Sequence, residues 1–355
     1  MRTFQLIKVK AHTPFERGFQ YGEQAREKII AEIEDYRVLF GETSSMSWEE
    51  IKGYALKYVP LAEKLVPDVM EEARGISEGA GVGIADIMVL NTRYEITKFP
   101  KPNECTSFSV LPQASREKKT YVGQNWDYRA GILDNIVMVH IEEPNGTRIF
   151  GLAEAGQVIR NGFNSFGIGL CANNLQSIND TWGIGIPVTF LRRKVLSSKS
   201  FNEAYKLLTE APRSVSCNFM LASAEGKAVD IETYPLGTDA IEPVEGIITH
   251  ANHFTVKNDI SVNESSPRGD RLYELLKENH GEIDIAHIKK CLSDHKNYPQ
   301  ALCRHPSDVS IRLGRRGITV AGVIYDLKES TAYVCAGPPC EGEFIAYKLK
   351  NDVEV

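Results

Sequence analysis

The feature that most constrains this chain is a change of texture at residues 99–104, Phe-Pro-Lys-Pro-Asn-Glu. Two prolines cannot continue a helix, and each pushes the residue before it towards extended backbone. Upstream, after a strand-like start over residues 4–9, Phe15, Phe19, Ile29, Ile33, Tyr36 and Phe40 recur at helical spacing and predict a helix over 14–40. Thr13 is its expected N-cap, with Pro14 at the first helical position. Further helices are predicted over 48–58, 67–79 and 84–97, the last two parted by the glycines of 79–83. Downstream, short strand-like runs follow one another at 106–111, 120–125, 135–141, 148–152, 167–172, 219–222, 228–233 and 246–250. Helical patterns interrupt them at 188–197 with 201–210, and at 270–278 with 285–292; strands return at 319–325, 332–335 and 343–349. Strands in blocks, broken by helix pairs and without a linker or repeat, predict one α+β domain of packed sheets with helices outside.

Composition narrows the partners. A formal charge of -6 over 355 residues, with Lys and Arg scattered, argues against nucleic acid or an anionic membrane as partner. No apolar run approaches the roughly 18 residues of a membrane span, and the N-terminus lacks a secretory pattern. Seven cysteines, an odd number without framework spacing, suit reduced thiols and a cytoplasmic location.

Cys105 stands where the proline-containing loop meets the first strand-like run. A cysteine there reads either as a small half-buried apolar residue or as a nucleophile. The run ending Gly123-Gln124-Asn125-Trp126-Asp127 favours the second reading, because a hairpin through Lys118-Lys119 returns Asp127 to the side of Cys105. No histidine partner in the manner of papain-like enzymes is evident. The missing base is supplied if the bond before Cys105 is cut, since the new α-amine has a pKa of about 7.7–8.0, suited to general-base work near neutral pH.

Several strings, in order, carry a resemblance. They are Pro14-Phe-Glu-Arg-Gly-Phe-Gln-Tyr-Gly22, Glu72-Ala-Arg-Gly-Ile-Ser-Glu-Gly-Ala-Gly81, Leu90-Asn-Thr-Arg-Tyr-Glu95, Cys105-Thr-Ser and Gly123-Gln-Asn-Trp-Asp127. Gly162-Phe-Asn-Ser-Phe-Gly167, His250-Ala-Asn-His-Phe254, Cys303-Arg304 and Arg316-Gly317 follow. With these the chain resembles, nearly end to end, the acyl-coenzyme A:6-aminopenicillanic acid acyltransferase (isopenicillin-N acyltransferase) family of N-terminal-nucleophile hydrolases. The resemblance implies a four-layer αββα sandwich, and a precursor that matures into an α chain (1–104) and a β chain (105–355) remaining together as one domain. It implies that Cys105 is the autoproteolytic and catalytic nucleophile, that Asp127 is its supporting carboxylate and that Asn252 donates to the oxyanion. Arg316 would face the nucleophile pocket, favouring thiolate or holding a substrate carboxylate. The more distant choloylglycine hydrolases and penicillin V acylases share this set in the same order. The family's best-known member has glycine before the nucleophile where this chain has Glu104, which predicts slower self-cleavage.

The implied reaction is acyl transfer to an amine, or hydrolysis, from a small acyl amide or acyl thioester. Coenzyme A is open as a co-substrate, although no basic phosphate-binding cluster demands it, and no other cofactor is expected. Beyond its own cleaved N-terminal fragment, a second copy of the chain is an open partner. Trp126 reads as pocket wall or core, and Arg304 with His305 as pocket lining or loop anchor; all three are candidate substrate-binding residues. The two histidines of His250-Ala-Asn-His253 lack further ligands at a metal spacing, Cys335 to Cys340 reads as a turn between strands, and no metal is expected. The alternative function is a non-catalytic relative that binds a small molecule and keeps Cys105 for structure.

Overall fold

The computed structural model describes residues 2–96, 105–306 and 317–349. Its strands are β1 (Gln5–Lys10), β2 (Cys105–Val110), β3 (Tyr121–Arg129), β4 (Ile136–Glu142), β5 (Arg148–Glu154), β6 (Asn161–Asn164) and β7 (Ile168–Asn174), followed by β8 (Cys217–Ser223), β9 (Lys227–Tyr234), β10 (Gly237–Ile241), β11 (Ile247–His250), β12 (Gly317–Asp326), β13 (Thr331–Ala336) and β14 (Ile345–Lys348). Its helices are α1 (Pro14–Thr43), α2 (Trp48–Leu56), α3 (Val59–Leu65), α4 (Pro67–Ala80), α5 (Ile84–Asn91), α6 (Arg93–Ile96), α7 (Val188–Val195), α8 (Phe201–Glu210), α9 (Arg268–Lys277) and α10 (Ile285–Leu292). Among the described residues, one sheet has eight strands in the order β1-β4-β5-β6-β7-β8-β9-β10, and the other has six in the order β11-β2-β3-β12-β13-β14.

Alternation along the strands builds three apolar layers. Val137, Val139 and Ile141 of β4 pack with Phe219 and Leu221 of β8 against α1, α4, α5 and α7. Met138, Leu152, Phe163 and Met220, from the opposite face of that sheet, meet Val122, Trp126, Val320 and Tyr325 of the six-stranded sheet. Phe108, Val110, Tyr121 and Ile324 on the outer face of the second sheet pack on Leu272, Leu276, Ile288 and Leu292 of α9 and α10. Helices, sheet, sheet and helices therefore stack in four layers, the αββα order the resemblance implies. No helix among the described residues is long and apolar enough to cross a membrane.

Most predicted elements are present with shifted ends, and the departures have local causes. The predicted helix over 84–97 is broken at Thr92, whose backbone φ of -110° leaves helical values while its hydroxyl bonds back to Met88 O at 2.7 Å. The short β6, which begins and ends in asparagine, and β10, in which none of the residues is fully buried, carry too little apolar alternation to be read as strands. At the start of α1 the expected cap is extended to a capping box: Thr13 Oγ1 accepts from Glu16 N, and Glu16 reaches back to Thr13 N.

The two longest strings of the family resemblance turn out to be a packing device. A Cβ at Gly18 of α1 would lie 2.0 Å from Glu72 O, and one at Gly75 of α4 would lie 2.0 Å from Phe15 O. Gly22 and Gly79 face the partner helix equally closely, at 2.4 Å and 2.1 Å from carbonyl oxygens. The backbones of α1 and α4 touch, and only glycine allows it. Gly75→Ala gains roughly 0.5–1 kcal/mol of helix propensity, but overpacking against rigid backbone costs roughly 1–3 kcal/mol or more. The expected net effect is a lower Tm. Gly41→Ala, also in α1 but with nothing within 4 Å of its Cβ, should be neutral or stabilising. Thermal unfolding of the two variants beside the parent protein decides; equal Tm values would remove close packing as the reason for these glycines.

Candidate active site

Cys105 is the first residue of β2 and pairs with Trp126 of β3 in an antiparallel register running on to Val110 and Tyr121. This is the hairpin expected from the sequence, and it sets the site. Alternation along β3 sends Trp126 into the layer between the sheets and Asp127 the other way, towards α9. β11 pairs with the far edge of β2, His250 opposite Ser107, so the chain leaving β11 brings Asn252 to the nitrogen of Cys105.

The contacts form one connected set. Cys105 N donates to Asn252 Oδ1 at 2.6 Å. The same oxygen accepts from Arg268 Nη2 at 3.0 Å, and Arg268 Nη1 donates to Asp127 Oδ2 at 2.8 Å. The other carboxylate oxygen, Oδ1, accepts from the Thr319 hydroxyl at 2.6 Å, and Arg304 N donates to that hydroxyl at 2.8 Å. Asn252 Nδ2 donates to Asn174 O at 2.9 Å. Cys105 Sγ lies 3.9 Å from Asp127 O. Cys105 is 4% exposed, and Asp127, Asn252 and Arg268 are 1% exposed each, so the uncut chain shields the group from solvent.

Electrostatics follow from that burial. Desolvation pushes the Asp127 carboxyl up; Arg268, Arg304 and the Thr319 hydrogen bond pull it down, and it settles at about 6. The carboxylate is thus mainly ionised at neutral pH, although burial outweighs the cations in setting the direction of its shift. Below Asn252, burial opposes charge on His250, but Asp230 and Glu232 outweigh it and raise the imidazole to about 8. His250 Nε2 lies 2.8 Å from Glu232 Oε1, and His250 O accepts from Asn173, which also bonds Ser107. His250 is part of the scaffold beneath Asn252.

The structure gathers three of the four sequence-predicted catalytic residues, Cys105, Asp127 and Asn252, around one guanidinium. Arg316, the fourth, and Glu104 lie outside the described residues. Trp126 is 1% exposed, with the Arg160 guanidinium 3.8 Å above its ring, which is a core position in the uncut chain. Arg304 lies beside Asp127, joined to it through Thr319. His305 faces away from this group, towards His295, Cys303 and Cys340.

Arg268 is not among the sequence candidates. Its signal is weak but physical: it is the first residue of α9, where the helix dipole disfavours a cation. A cation there needs a buried anion to hold it, and Asp127 is that anion. Thr319 carries no signal, because a threonine in a strand is ordinary.

The acyl-coenzyme A:6-aminopenicillanic acid acyl-transferase family model matches residues 114–341. The chain is 26% identical over 339 residues to the acyl-coenzyme A:6-aminopenicillanic-acid-acyltransferase 40 kDa form of Emericella nidulans, covering 92% of this chain and 91% of that protein. Among solved structures, an N-acylethanolamine-hydrolyzing acid amidase ortholog from Caenorhabditis elegans is similar, with a TM-score of 0.48 and 17% identity over 63% of this chain and 93% of that one. So is a variant of the conjugated bile acid hydrolase from Clostridium perfringens, with a TM-score of 0.44 and 12% identity over 70% of this chain and 100% of that one. The family match takes in more than half of the chain, including Asp127, Asn252 and Arg268, and the chain belongs to the acyl-coenzyme A:6-aminopenicillanic acid acyl-transferase family.

Proposed function

We propose that this chain is the precursor of a cysteine N-terminal-nucleophile enzyme, which cuts itself before Cys105 and then transfers or hydrolyses an acyl group held in an amide or thioester. The observation that carries this reading is the clamp on the nitrogen of Cys105. Asn252 Oδ1 holds that N–H at 2.6 Å, while Arg268 ties the same oxygen to a buried carboxylate. A structural cysteine has no need of a charged network that orients its backbone nitrogen.

In the first reaction Cys105 Sγ adds to the carbonyl carbon of residue 104. The C–N bond breaks as the nitrogen takes up a proton, and water hydrolyses the resulting thioester. Residues 1–104 and 105–355 are the products, and the nitrogen of Cys105 becomes an α-amine. In the second reaction that amine accepts the thiol proton and the thiolate attacks the substrate carbonyl. The leaving amine or thiol departs with a proton, and an acceptor amine or water then takes the acyl group from sulfur. Asn252 Oδ1 would orient the amine so that its lone pair meets the thiol. Its amide would also donate to the oxyanion, a contribution typically of about 2.7–4 kcal/mol to the barrier. Arg268 fixes Asn252 through its oxygen, and the Asp127 carboxylate offsets the positive charge of the guanidinium and of the protonated amine. Arg316 is proposed to face the same pocket, and Trp126 and Arg304 to border the bound acyl group once the chain is cut. The substrate class is a small N-acyl amino acid or peptide amide, with coenzyme A thioester as a candidate acyl donor.

Denaturing mass spectrometry of the freshly purified protein should show two fragments divided between Glu104 and Cys105, and one full-length species for Cys105→Ala. One full-length species in both would sink the mechanism and favour a non-catalytic binding protein. The role of Arg268 has its own signature. Function that needs ionised Asp127 is present above the carboxyl pKa and lost as pH falls through it, near about 6. Arg268→Met removes the cation that most strongly opposes the effect of burial, so the acid limb of the cleavage or turnover rate should move upward by roughly a unit or more, with partial return in Arg268→Lys. An unchanged pH profile in a folded Arg268→Met protein would show that Arg268 does not position or charge Asp127.

A further inference from the structure

In the loop that carries Arg304 and in the turn after β13, four side chains bring their metal-ligating atoms close together. His295, Cys303 and His305 come from the loop between α10 and β12, and Cys340 from the turn between β13 and β14. The four ligand atoms all lie within 4.8 Å of one another. His305 Nε2 is 3.2 Å from His295 Nε2, 3.2 Å from Cys340 Sγ and 3.6 Å from Cys303 Sγ. We propose that His295, Cys303, His305 and Cys340 are the four ligands of a structural zinc ion. This inference is independent of the proposed acyl chemistry.

The geometry supports the ion in two ways. Zinc bonded tetrahedrally at about 2.0–2.1 Å to nitrogen and about 2.3 Å to sulfur separates its ligands by roughly 3.3 Å for N···N and roughly 3.6 Å for N···S. The His305–His295 distance of 3.2 Å and the His305–Cys303 distance of 3.6 Å match two such edges, the His305–Cys340 distance of 3.2 Å is shorter, and the remaining edges lie within 4.8 Å. Second, an imidazole nitrogen has a single in-plane lobe and makes one good hydrogen bond. The three partners converging on His305 Nε2 are more than that one lobe can serve by hydrogen bonds, and a shared cation accounts for all of them. The other ring nitrogen, Nδ1, lies 3.4 Å from Oε1 of the exposed Glu341, within reach of a carboxylate that could orient the ring on a bound ion.

The donor set selects the metal. Two sulfurs and two imidazoles suit zinc and offer no oxygen for magnesium or calcium. Four protein ligands close the coordination sphere, which marks a structural rather than a catalytic site. On binding, both thiols release their protons to solvent, and the two thiolates with one divalent ion form a neutral group. Cys340 and His295 are exposed, which leaves the ion a path in and out. The sequence expectation of no metal weighs His250 with His253 and Cys335 with Cys340, each a pair without completing ligands nearby in the chain. The proposed site joins residues 35 positions apart through the fold.

Elemental analysis of the full-length protein, purified under reducing conditions and freed of loose metal, tests this directly. The expected result is about one zinc per chain, falling roughly tenfold or more in Cys340→Ser and in His305→Ala, and unchanged in Cys335→Ser. Glu341→Gln should weaken zinc affinity by roughly 10- to 100-fold while leaving all four ligands in place. Cobalt loaded into the parent protein should show tetrahedral d–d bands and thiolate charge transfer, a readout that needs no variant to fold. Parent protein that neither carries zinc nor takes up zinc or cobalt overturns the proposal. A Cys303–Cys340 disulfide in freshly isolated protein, seen by peptide mapping without reductant, overturns it as well.

Discussion

Asp127 and Arg268 form an ion pair with almost no solvent, and neither charge is tolerable there without the other. Removing one partner of such a pair costs about 3–5 kcal/mol, because the remaining charge is buried and alone. The pair also cannot form locally, since Asp127 lies on β3 and Arg268 begins α9. Its formation requires the hairpin β2–β3, the β11 strand beside it and the docked outer helix. The connection from β11 to α9 carries Asn252, whose oxygen both Arg268 and Cys105 N use. One buried charge pair therefore ties the nitrogen of Cys105 to the packing of the six-stranded sheet and the helices on it. A chain that misplaced any of these elements would leave a carboxylate unsatisfied before it could misplace the cysteine.

The α1–α4 contact is the corresponding constraint on the other side of the molecule. Those helices come from the segment before Cys105, yet they pack with α5 on the eight-stranded sheet, whose strands other than β1 come from after it. β1 lies at the edge of that sheet, parallel to β4 from Gln5 opposite Val137 to Lys10 opposite Glu142. Severing the chain before Cys105 would remove one covalent bond from a unit already joined by a sheet ladder and a shared core. The loss of a loop constraint changes stability only slowly with loop length, whereas these contacts are numerous and apolar. Cleavage after folding can leave the two pieces together; cleavage before folding would separate residues that need each other.

The legible part of this protein was whatever a periodicity or an ordered string could carry. Helices α8 and α10 end where the pattern of apolar residues ends, and the return of Asp127 beside Cys105 followed from pairing two successive strand-like runs as a hairpin. Arg268 was out of reach because its value is a single tertiary contact. The residues around it, Ser266-Pro267-Arg268-Gly269-Asp270, look like any polar helix start. Thr319 and the converging set at His305 share the same difficulty, because the sequence does not tell which side of a strand or loop meets which. The glycines of α1 and α4 show a different limit. Strings that rightly pointed to the family also hold the glycines that let two backbones touch, a reason the sequence alone did not disclose.

Arg304 joins the two clusters of the outer sheet. Its backbone N–H supports the Thr319 hydroxyl on Asp127, and its carbonyl accepts from Thr319 N at 3.0 Å, so the loop is held to β12 from both sides of one residue. Cys303 and His305 flank it in sequence. Cys303 N is itself bonded to Asp294 O, and Asp294 pairs with Arg271 of α9 at 2.9 Å. Any group that immobilises Cys303 and His305 therefore limits where Arg304 can stand, and through Thr319 where the Asp127 carboxylate can turn. A loop would otherwise be a poor support for a buried carboxylate, since loops are the more mobile part of a fold. Here the carboxylate is gripped by a helix on one side and by Thr319 of β12 on the other, and the loop at Arg304 braces that hydroxyl only as firmly as Cys303 and His305 are held.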